Sequence, residues 1–512
     1  MNRWPNPLVP GFNPDPSVVL VDGVYWLVTS TFEYLPGLPV YRSADLVEWT
    51  HVGNVASRPE QVEVADAPTG GGVWAPTIRH HDGTFYVIVT IAMSPKGCVV
   101  FTATDPAGPW SDGTTLEGIG GIDPDLAWDE DGNAYVTYSG LVTFGEELGK
   151  HLGIQQVRVD LEAGKAVEAP RSLWSGTGLK FPEAPHVYRR GEHWYLMIAE
   201  GGTERGHGVS FARGPSIEGP FESHPDNPLL SARSTSRPIQ NTGHADLVET
   251  PDGGSALIML GMRPLGATQS FSPLGRETYI TDVAWADGWP QPEPVLLAPR
   301  TGVEVEDFDF TDPSSLDDPG WMAVRTLPSE VASPTSTPGR LTIAADGSTL
   351  DDSHPRFVGR RQRHIRSTVS TVVDAAAGAG GLAFRYDELH HVSLEARGRD
   401  GATQVTALAT VAGLRQSWTA DLPGHEVELR IEMSPAAPGF NAEAMGGDRI
   451  RLVAGPVGGG GEDVLLTELD GRFWTAEVTA SFTGRVVGLF ATMGTVTFTR
   501  FHAEGSDALT DV

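Results

Sequence analysis

Cysteine is almost missing from this chain of 512 residues. Cys98 stands alone, so no intrachain disulfide can form and the fold must rest on packed cores. Long apolar runs are missing too: no stretch approaches the ~20 consecutive apolar residues of a membrane-crossing helix. The opening Met1-Asn2-Arg3-Trp4-Pro5-Asn6-Pro7 has neither the basic nor the apolar region of a secretory signal, so the expectation is a cytoplasmic protein. Positive charge is scarce: 36 Lys and Arg stand against 66 Asp and Glu, for a formal net charge of −30. That balance argues against nucleic acid, heparin-like polyanions or an anionic membrane surface as partner, and suits a neutral substrate. No long amphipathic helical pattern occurs anywhere, and the small-residue stretch Ala375–Gly381 reads as a loop.

Turn-forming residues are plentiful. The chain carries 61 glycines and 39 prolines, which implies many turns between short strands. Its length exceeds one ordinary core and predicts two domains. The 13 tryptophans serve mostly as core, but an indole is also a flat face on which a sugar ring can stack.

Residues 1–300 contain a weak repeat. Each copy has a short opening motif, a strand, a glycine turn and a returning apolar strand. The opening motifs are Pro14-Asp15-Pro16, Trp74-Ala75-Pro76, Asp123-Pro124-Asp125, Pro182-Glu183-Ala184-Pro185-His186 and Gly243-His244-Ala245-Asp246. The turns fall at Gly23, Gly83, Gly132, Gly191 and Gly253, so a copy spans roughly 50 to 60 residues. Asp-Gly pairs at most of these turns are strong hairpin signals, because a tight type I′ turn needs positive φ at both central residues. Four strands with their connections fill such a length. Radial repetition of four-stranded sheets is a β-propeller, and five copies predict five blades. The first strand of a blade lines the central channel. Asp15, Trp74, Asp123, Glu183 and His244 share one offset and should therefore converge at one mouth.

The texture changes after the fifth copy. Residues 286–302 are proline-rich and read as a linker. From 303 to 512 the chain alternates apolar and polar residues, as in Leu341–Ala344, Ser367–Val373, Val392–Ala396, Glu426–Met433 and Arg451–Ala454. Period-two alternation with glycine-rich turns predicts a β-sandwich. The expected fold is all-β, with a five-bladed β-propeller over 1–300 and a β-sandwich over 303–512.

Several motifs carry a family resemblance. Asn6-Pro7-Leu8-Val9-Pro10-Gly11-Phe12-Asn13-Pro14-Asp15-Pro16-Ser17 resembles the start of glycoside hydrolase family 43 β-xylosidases. So do the segments Thr29–Tyr41 and Gly72–Thr77, the motifs Ile122-Asp123-Pro124 and Pro182–His186, and the segments Gly243–Glu249 and Pro273–Thr278, in order. The resemblance covers nearly all of the first 300 residues and implies a propeller followed by a sandwich.

Inverting hydrolysis of a glycosidic bond needs one carboxylic acid to protonate the leaving oxygen and one carboxylate to deprotonate water on the opposite face. A third carboxylate can hold the acid's pKa up. Convergence alone does not separate these roles. The resemblance implies Asp15 as general base, Glu183 as general acid and Asp123 as the pKa-tuning group, with Asp125 as competitor for the third role. It further implies Arg276 as a substrate-binding arginine, Phe32 and Trp74 as apolar walls, and His244 as an axial residue that touches a water or a structural calcium in some members. One histidine does not make a metal site, so no metal or other cofactor is expected to be required. Ser481-Phe482-Thr483-Gly484 resembles a sandwich loop that closes the pocket.

The chain departs from the family pattern in two places. The segment Gly140-Leu141-Val142-Thr143-Phe144-Gly145-Glu146-Glu147-Leu148-Gly149 lacks the expected tryptophan, and the sandwich loop keeps only one of two usual aromatics, Phe482. Both positions bear on substrate choice. The implied activity is exo-release of xylose from β-1,4-xylo-oligosaccharides. An α-L-arabinofuranosidase or a dual enzyme is the near alternative, and a retaining fructan-active propeller a more distant one. A non-catalytic sugar-binding propeller would be expected to lose a carboxylate. The expected partner is a small oligosaccharide, with homo-oligomerisation left open.

Overall fold

The computed structural model describes residues 3–143, 145–437, 445–459, 461–479 and 481–507. It is almost wholly β. Among the described residues the α-helices are single turns, Pro59–Val62, Pro328–Val331 and Ala476–Thr479, and no helix is long and apolar enough to cross a membrane.

Five antiparallel sheets follow one another along the first part of the chain. Their opening strands are Ser17–Val21, Gly72–His81, Ile122–Trp128, Glu183–Arg190 and Gln240–Glu249. Each opening strand touches the next, and the fifth touches the first, which closes the ring of a five-bladed propeller. The N-terminal segment seals that closure: Asn6 bridges Ala298, and Val9 bridges Thr278 in blade five. Apolar clusters lie between adjacent blades, such as Ile88, Val100, Leu126 and Val136 between blades two and three. Two-sided packing explains why the returning strands read as continuous apolar runs; Ser255–Met262 is buried throughout.

The glycine turns lie where the repeat placed them, but only two of them are tight type I′ pairs. Asp22-Gly23 and Asp82-Gly83 have φ of 51°, 77°, 47° and 76°. At the third hairpin the Asp129 carboxylate caps a longer loop, accepting from the backbone N–H of Asp131 and Asn133 at 3.0 and 2.8 Å. A side-chain acceptor there replaces the paired positive φ values.

The proline-rich stretch is only partly a linker. Trp289–Pro292 is the outer strand of blade five, paired with Val283–Ala286 through a turn at Asp287-Gly288. Proline is tolerated because this is an edge strand.

The second region is a two-layer β-sandwich. The strand Val486–Ser506 runs through both layers, pairing first with Phe357–Arg361 and Gly378–Asp387, then with Arg366–Asp374 and Arg340–Ala344. Glu426–Pro435 alternates buried and half-buried residues, as its period-two pattern requires. The stretch expected to be a loop, Ala375–Gly381, instead enters a buried strand at Gly378. Glycine is needed there: a Cβ on Gly381 would stand 2.0 Å from the Leu394 carbonyl oxygen, and one on Gly380 2.2 Å from that of Phe490.

The two regions interlock. Tyr34–Leu35, lying within the blade-one sequence, pairs with Met322–Val324 of the sandwich. Arg325 donates to the carbonyl oxygens of Ala67 and Ser353 at 2.7 and 2.6 Å. Arg263 of the propeller pairs with Asp507 at 2.8 Å.

Candidate active site

A cavity of about 470 Å³ opens at one mouth of the propeller. Asp15, Trp74, Asp123, Glu183 and His244 all line it, and all come from the openings of the five blades. Their convergence has a local cause. In blades two to five the pairing of the opening strand slips beside the residue in question: Val73 to Pro76, Ile122 to Asp125, Glu183 to His186, and Gly243 to Ala245. Such β-bulges bend the strand and re-aim a side chain. Asp15, Asp123 and His244 carry positive φ of 56°, 52° and 50°, as does Ala184 (50°) beside Glu183. These are uncommon angles for residues with a Cβ, and here they turn side chains toward the axis.

The three carboxylates share one cation. Arg276 Nη1 donates to Asp15 Oδ1 at 3.0 Å, and the Ser30 hydroxyl donates to Asp15 Oδ2 at 2.6 Å. His244 Nδ1 lies 3.5 Å from Asp15 Oδ1. Burial opposes ionisation of Asp15, but Arg276, His244 and Ser30 outweigh it and hold the carboxyl below its ordinary range. Asp123 has the backbone N–H of Ala184 at 3.1 Å. Burial and the charge of Asp15 push it up to about 7 nonetheless. Glu183 is raised well above a normal carboxyl by burial, then by Asp123 and Asp15, with Arg276 opposing. Asp123 accepts a backbone donor suited to its charged form, so the proton held between Asp123 and Glu183 belongs on Glu183. The cavity thus offers one ionised carboxylate and one protonated acid.

Aromatic residues form the opposite wall. Phe32 and Phe482 stack with centroids 5.8 Å apart, and Trp74 meets Phe482 edge-on at 5.9 Å. Trp74 is fixed by its indole N–H donating to Gly70 O at 2.8 Å. Arg276 lies over both phenylalanines and donates to the Phe482 carbonyl at 3.3 Å. Ser481 and Phe482 belong to the sandwich, which therefore covers part of the cavity. The approach is close: a Cβ on Gly275 would stand 2.4 Å from Thr483 O. The short helix Ala476–Thr479 is tied down by Glu477, which accepts from Ser272 N and Oγ at 2.8 and 2.6 Å.

Asp125 does not line the cavity. It is fully buried one layer deeper, where Arg79 donates to it at 2.8 Å and the Val187 N–H at 2.8 Å. Arg79 also pairs with Asp246 at 2.9 Å. His244 lies beside Asp15 at the rim of the same cavity. Its neighbouring carboxylate is already engaged by Arg276, and among the described residues no group of three or more metal-ligating side chains converges.

Several lining residues were not singled out by sequence reasoning. Leu141 lines the cavity directly after Gly140, and Phe181, 40% exposed, adds an apolar face two residues before Glu183. Thr203 accepts from Arg276 at 3.2 Å. His207, in Gly201-Gly202-Thr203-Glu204-Arg205-Gly206-His207, sits behind Glu183. The density of glycine and polar residues in that loop was the available signal.

A propeller whose mouth presents an ionised carboxylate, a protonated one and a stacked aromatic wall under a β-sandwich lid is the apparatus of a glycoside hydrolase. Residues 4–290 match the family described as Glycosyl hydrolases family 43, and residues 307–504 match the Beta xylosidase C-terminal Concanavalin A-like domain. The chain belongs to glycoside hydrolase family 43. It is 36% identical, over 95% of its length and 90% of the relative's, to a non-reducing end α-L-arabinofuranosidase, BoGH43B, of Bacteroides ovatus. It is 30% identical to a xylosidase/arabinosidase of Butyrivibrio fibrisolvens, over 95% of each chain. The crystal structure of a xylan β-1,4-xylosidase from Bacillus halodurans superposes with a TM-score of 0.87 at 28% identity, covering 98% of this chain and 100% of that one.

Proposed function

We propose that this enzyme is an exo-acting, inverting glycosidase that releases xylose from the non-reducing end of short β-1,4-xylo-oligosaccharides. The observation that carries the reading is a cavity of about 470 Å³ lined by Asp15, Asp123 and Glu183 beneath a lid from the sandwich, with Asp15 held below its ordinary range and Glu183 above it. Closure on one side fits attack at a chain end.

In this reading Asp15, kept ionised by Arg276, Ser30 and His244, removes a proton from water. The water oxygen bonds to the anomeric carbon as the glycosidic bond breaks. Glu183 gives its proton to the departing oxygen. Asp123 keeps the acid loaded through its like charge and is itself oriented by the Ala184 N–H. Arg276 fixes Asp15, while Phe32, Trp74 and Phe482 pack against the ring and His244 borders it. Asp15 and Glu183 supply the base and the acid, so the reading calls for no cofactor. The single buried Cys98 thiol suits a reducing compartment, and a cytoplasmic site of action belongs to the same proposal.

A second reading, α-L-arabinofuranosidase, is favoured by the 36% identity to BoGH43B. Side-by-side rates on nitrophenyl β-xyloside and nitrophenyl α-arabinofuranoside, with xylobiose as natural substrate, separate the two. Proton NMR in the first minutes of β-xyloside hydrolysis should show α-xylose before mutarotation. β-Xylose as first product would mean a retaining enzyme and would overturn the roles given to Asp15 and Glu183.

A further inference from the structure

Behind Glu183 stands a group that this reaction leaves unused. His207 immediately precedes the strand Gly208–Gly214 in blade four and is 1% exposed. Its Nδ1 lies 2.9 Å from the carbonyl oxygen of Asn241. A carbonyl only accepts, so Nδ1 carries the ring proton and Nε2 is a bare acceptor. That Nε2 is buried without a hydrogen-bond partner and lies 3.8 Å from Glu183 Oε1.

The imidazole is locked in this orientation. Its ring lies against Gly243, where a Cβ would stand 2.4 Å from Nδ1. Asn241 holds its carbonyl in place from a left-handed backbone (φ 58°), with its amide donating to Thr203 O at 3.1 Å and to the Met262 sulfur at 3.0 Å. Two blades thus cooperate to aim a lone pair at the acid. An orphaned buried acceptor is costly, and the carboxyl proton of Glu183 is the donor beside it.

We propose that His207 is a positioning residue for the general acid, its Nε2 accepting the carboxyl proton of Glu183 between turnovers. The proposal rests on the reading of Glu183 as acid. At rest the Glu183 O–H faces Nε2 across 3.8 Å, a long contact of the kind that catalytic hydrogen bonds often show without substrate. The terminal carboxyl torsion is broad and two-fold, so the O–H can swing to the leaving oxygen. As the glycosidic bond breaks, that oxygen takes the proton and Glu183 becomes a carboxylate. The proton removed from water passes to solvent from Asp15, and a solvent proton restores Glu183. The imidazole neither gains nor loses a proton. A bare Nε2 offers the carboxylate no hydrogen, which disfavours the ionised form and draws the proton back. Burial, with Arg276 assisting, holds the imidazole's own pKa down to about 4, so Nε2 stays free. The charged and titratable groups facing Glu183 are Asp123, Asp15, Arg276 and Glu204, besides His207.

The test is the pH profile of kcat/KM on xylobiose and on dinitrophenyl β-xyloside, for His207→Phe, His207→Leu, His207→Gln and Glu183→Gln. Phe and Leu both remove the acceptor, so one folded variant of the two is enough. An acceptor facing the acid raises its pKa, so its removal should move the alkaline limb toward acid. Xylobiose hydrolysis should fall about three- to tenfold. The dinitrophenyl substrate, which needs little protonation, should be spared, and Gln should restore part of the loss. If Glu183→Gln discriminates between the substrates while the Phe and Leu variants lose both alike with an unmoved limb, the role given to His207 is wrong. If Glu183→Gln itself fails to discriminate, the acid reading falls and this proposal with it.

Discussion

Two layers of buried carboxylates lie along the propeller axis, and they differ in how fully they are paired. In the upper layer Asp15, Asp123 and Glu183 share one guanidinium, Arg276. In the lower layer Asp125 and Asp246 share Arg79, each with further donors: the Val187 N–H for Asp125, and Ser17, the Val18 N–H and Tyr188 for Asp246. Asp123 and Asp125 sit two residues apart on one strand with similar burial. Burial and Asp15 push Asp123 up to about 7; at Asp125 the Arg79 charge and its other donors overcome burial and hold it low. Burial is common to both layers, so partners decide. The upper layer is left short of positive charge, which keeps a proton available; the lower layer is fully paired and ties the blades together.

The sharpest way to break this contrast is to remove the two reacting groups. Asp15→Ala should cost about 10³- to 10⁴-fold in kcat on every substrate, because water activation is always needed. Glu183→Ala should cost about 10²- to 10⁴-fold on xylobiose and far less on a substrate with an excellent leaving group. The reverse pattern in steady-state rates would mean that acid and base are exchanged.

A smaller but still large effect is expected below. Arg79→Met leaves Asp125 and Asp246 buried and unpaired, and breaking such a pair costs about 3–5 kcal/mol. Denaturant unfolding should show the loss, greatest at neutral pH. Asp125 and Asp246 have depressed folded pKa values, so their contribution is full above the unfolded value near 4 and is lost as pH falls below it. Arg79→Met should therefore lose its disadvantage in acid. A variant as stable as the parent at pH 7 would show that the lower layer is not structural.

The smallest effect discriminates most finely between the neighbours. Asp123 has a raised folded pKa, so its ionisation costs the fold stability as pH rises from about 4 toward about 7. Asp123→Asn should stabilise the fold at pH 8 by about 1 kcal/mol, whereas Asp125→Asn should destabilise it. The same Asp123→Asn change removes a like charge beside Glu183, so the alkaline limb of kcat/KM should move toward acid. Equal stability effects from both substitutions would erase the distinction drawn between the layers.

The all-β character, the five copies and the offset that gathers Asp15, Trp74, Asp123, Glu183 and His244 could be read from the chain alone. Strand period, turn chemistry and repeat length are local properties, and each copy is one blade. Closure then carries equal offsets to one mouth by symmetry. Local pattern could not show that Trp289–Pro292 still belongs to blade five, that Ala375–Gly381 enters a buried strand, or that Tyr34–Leu35 joins the sandwich, because pairing partners lie far away in sequence. The same limit applies to the site. The carboxylates were legible as residue types, but the sharing of Arg276, the diversion of Asp125 to Arg79 and the lone pair of His207 behind Glu183 arise from contacts between blades. A side chain's identity is written in the sequence; its protonation depends on which charges and donors surround it, and only the closed ring brings those within reach.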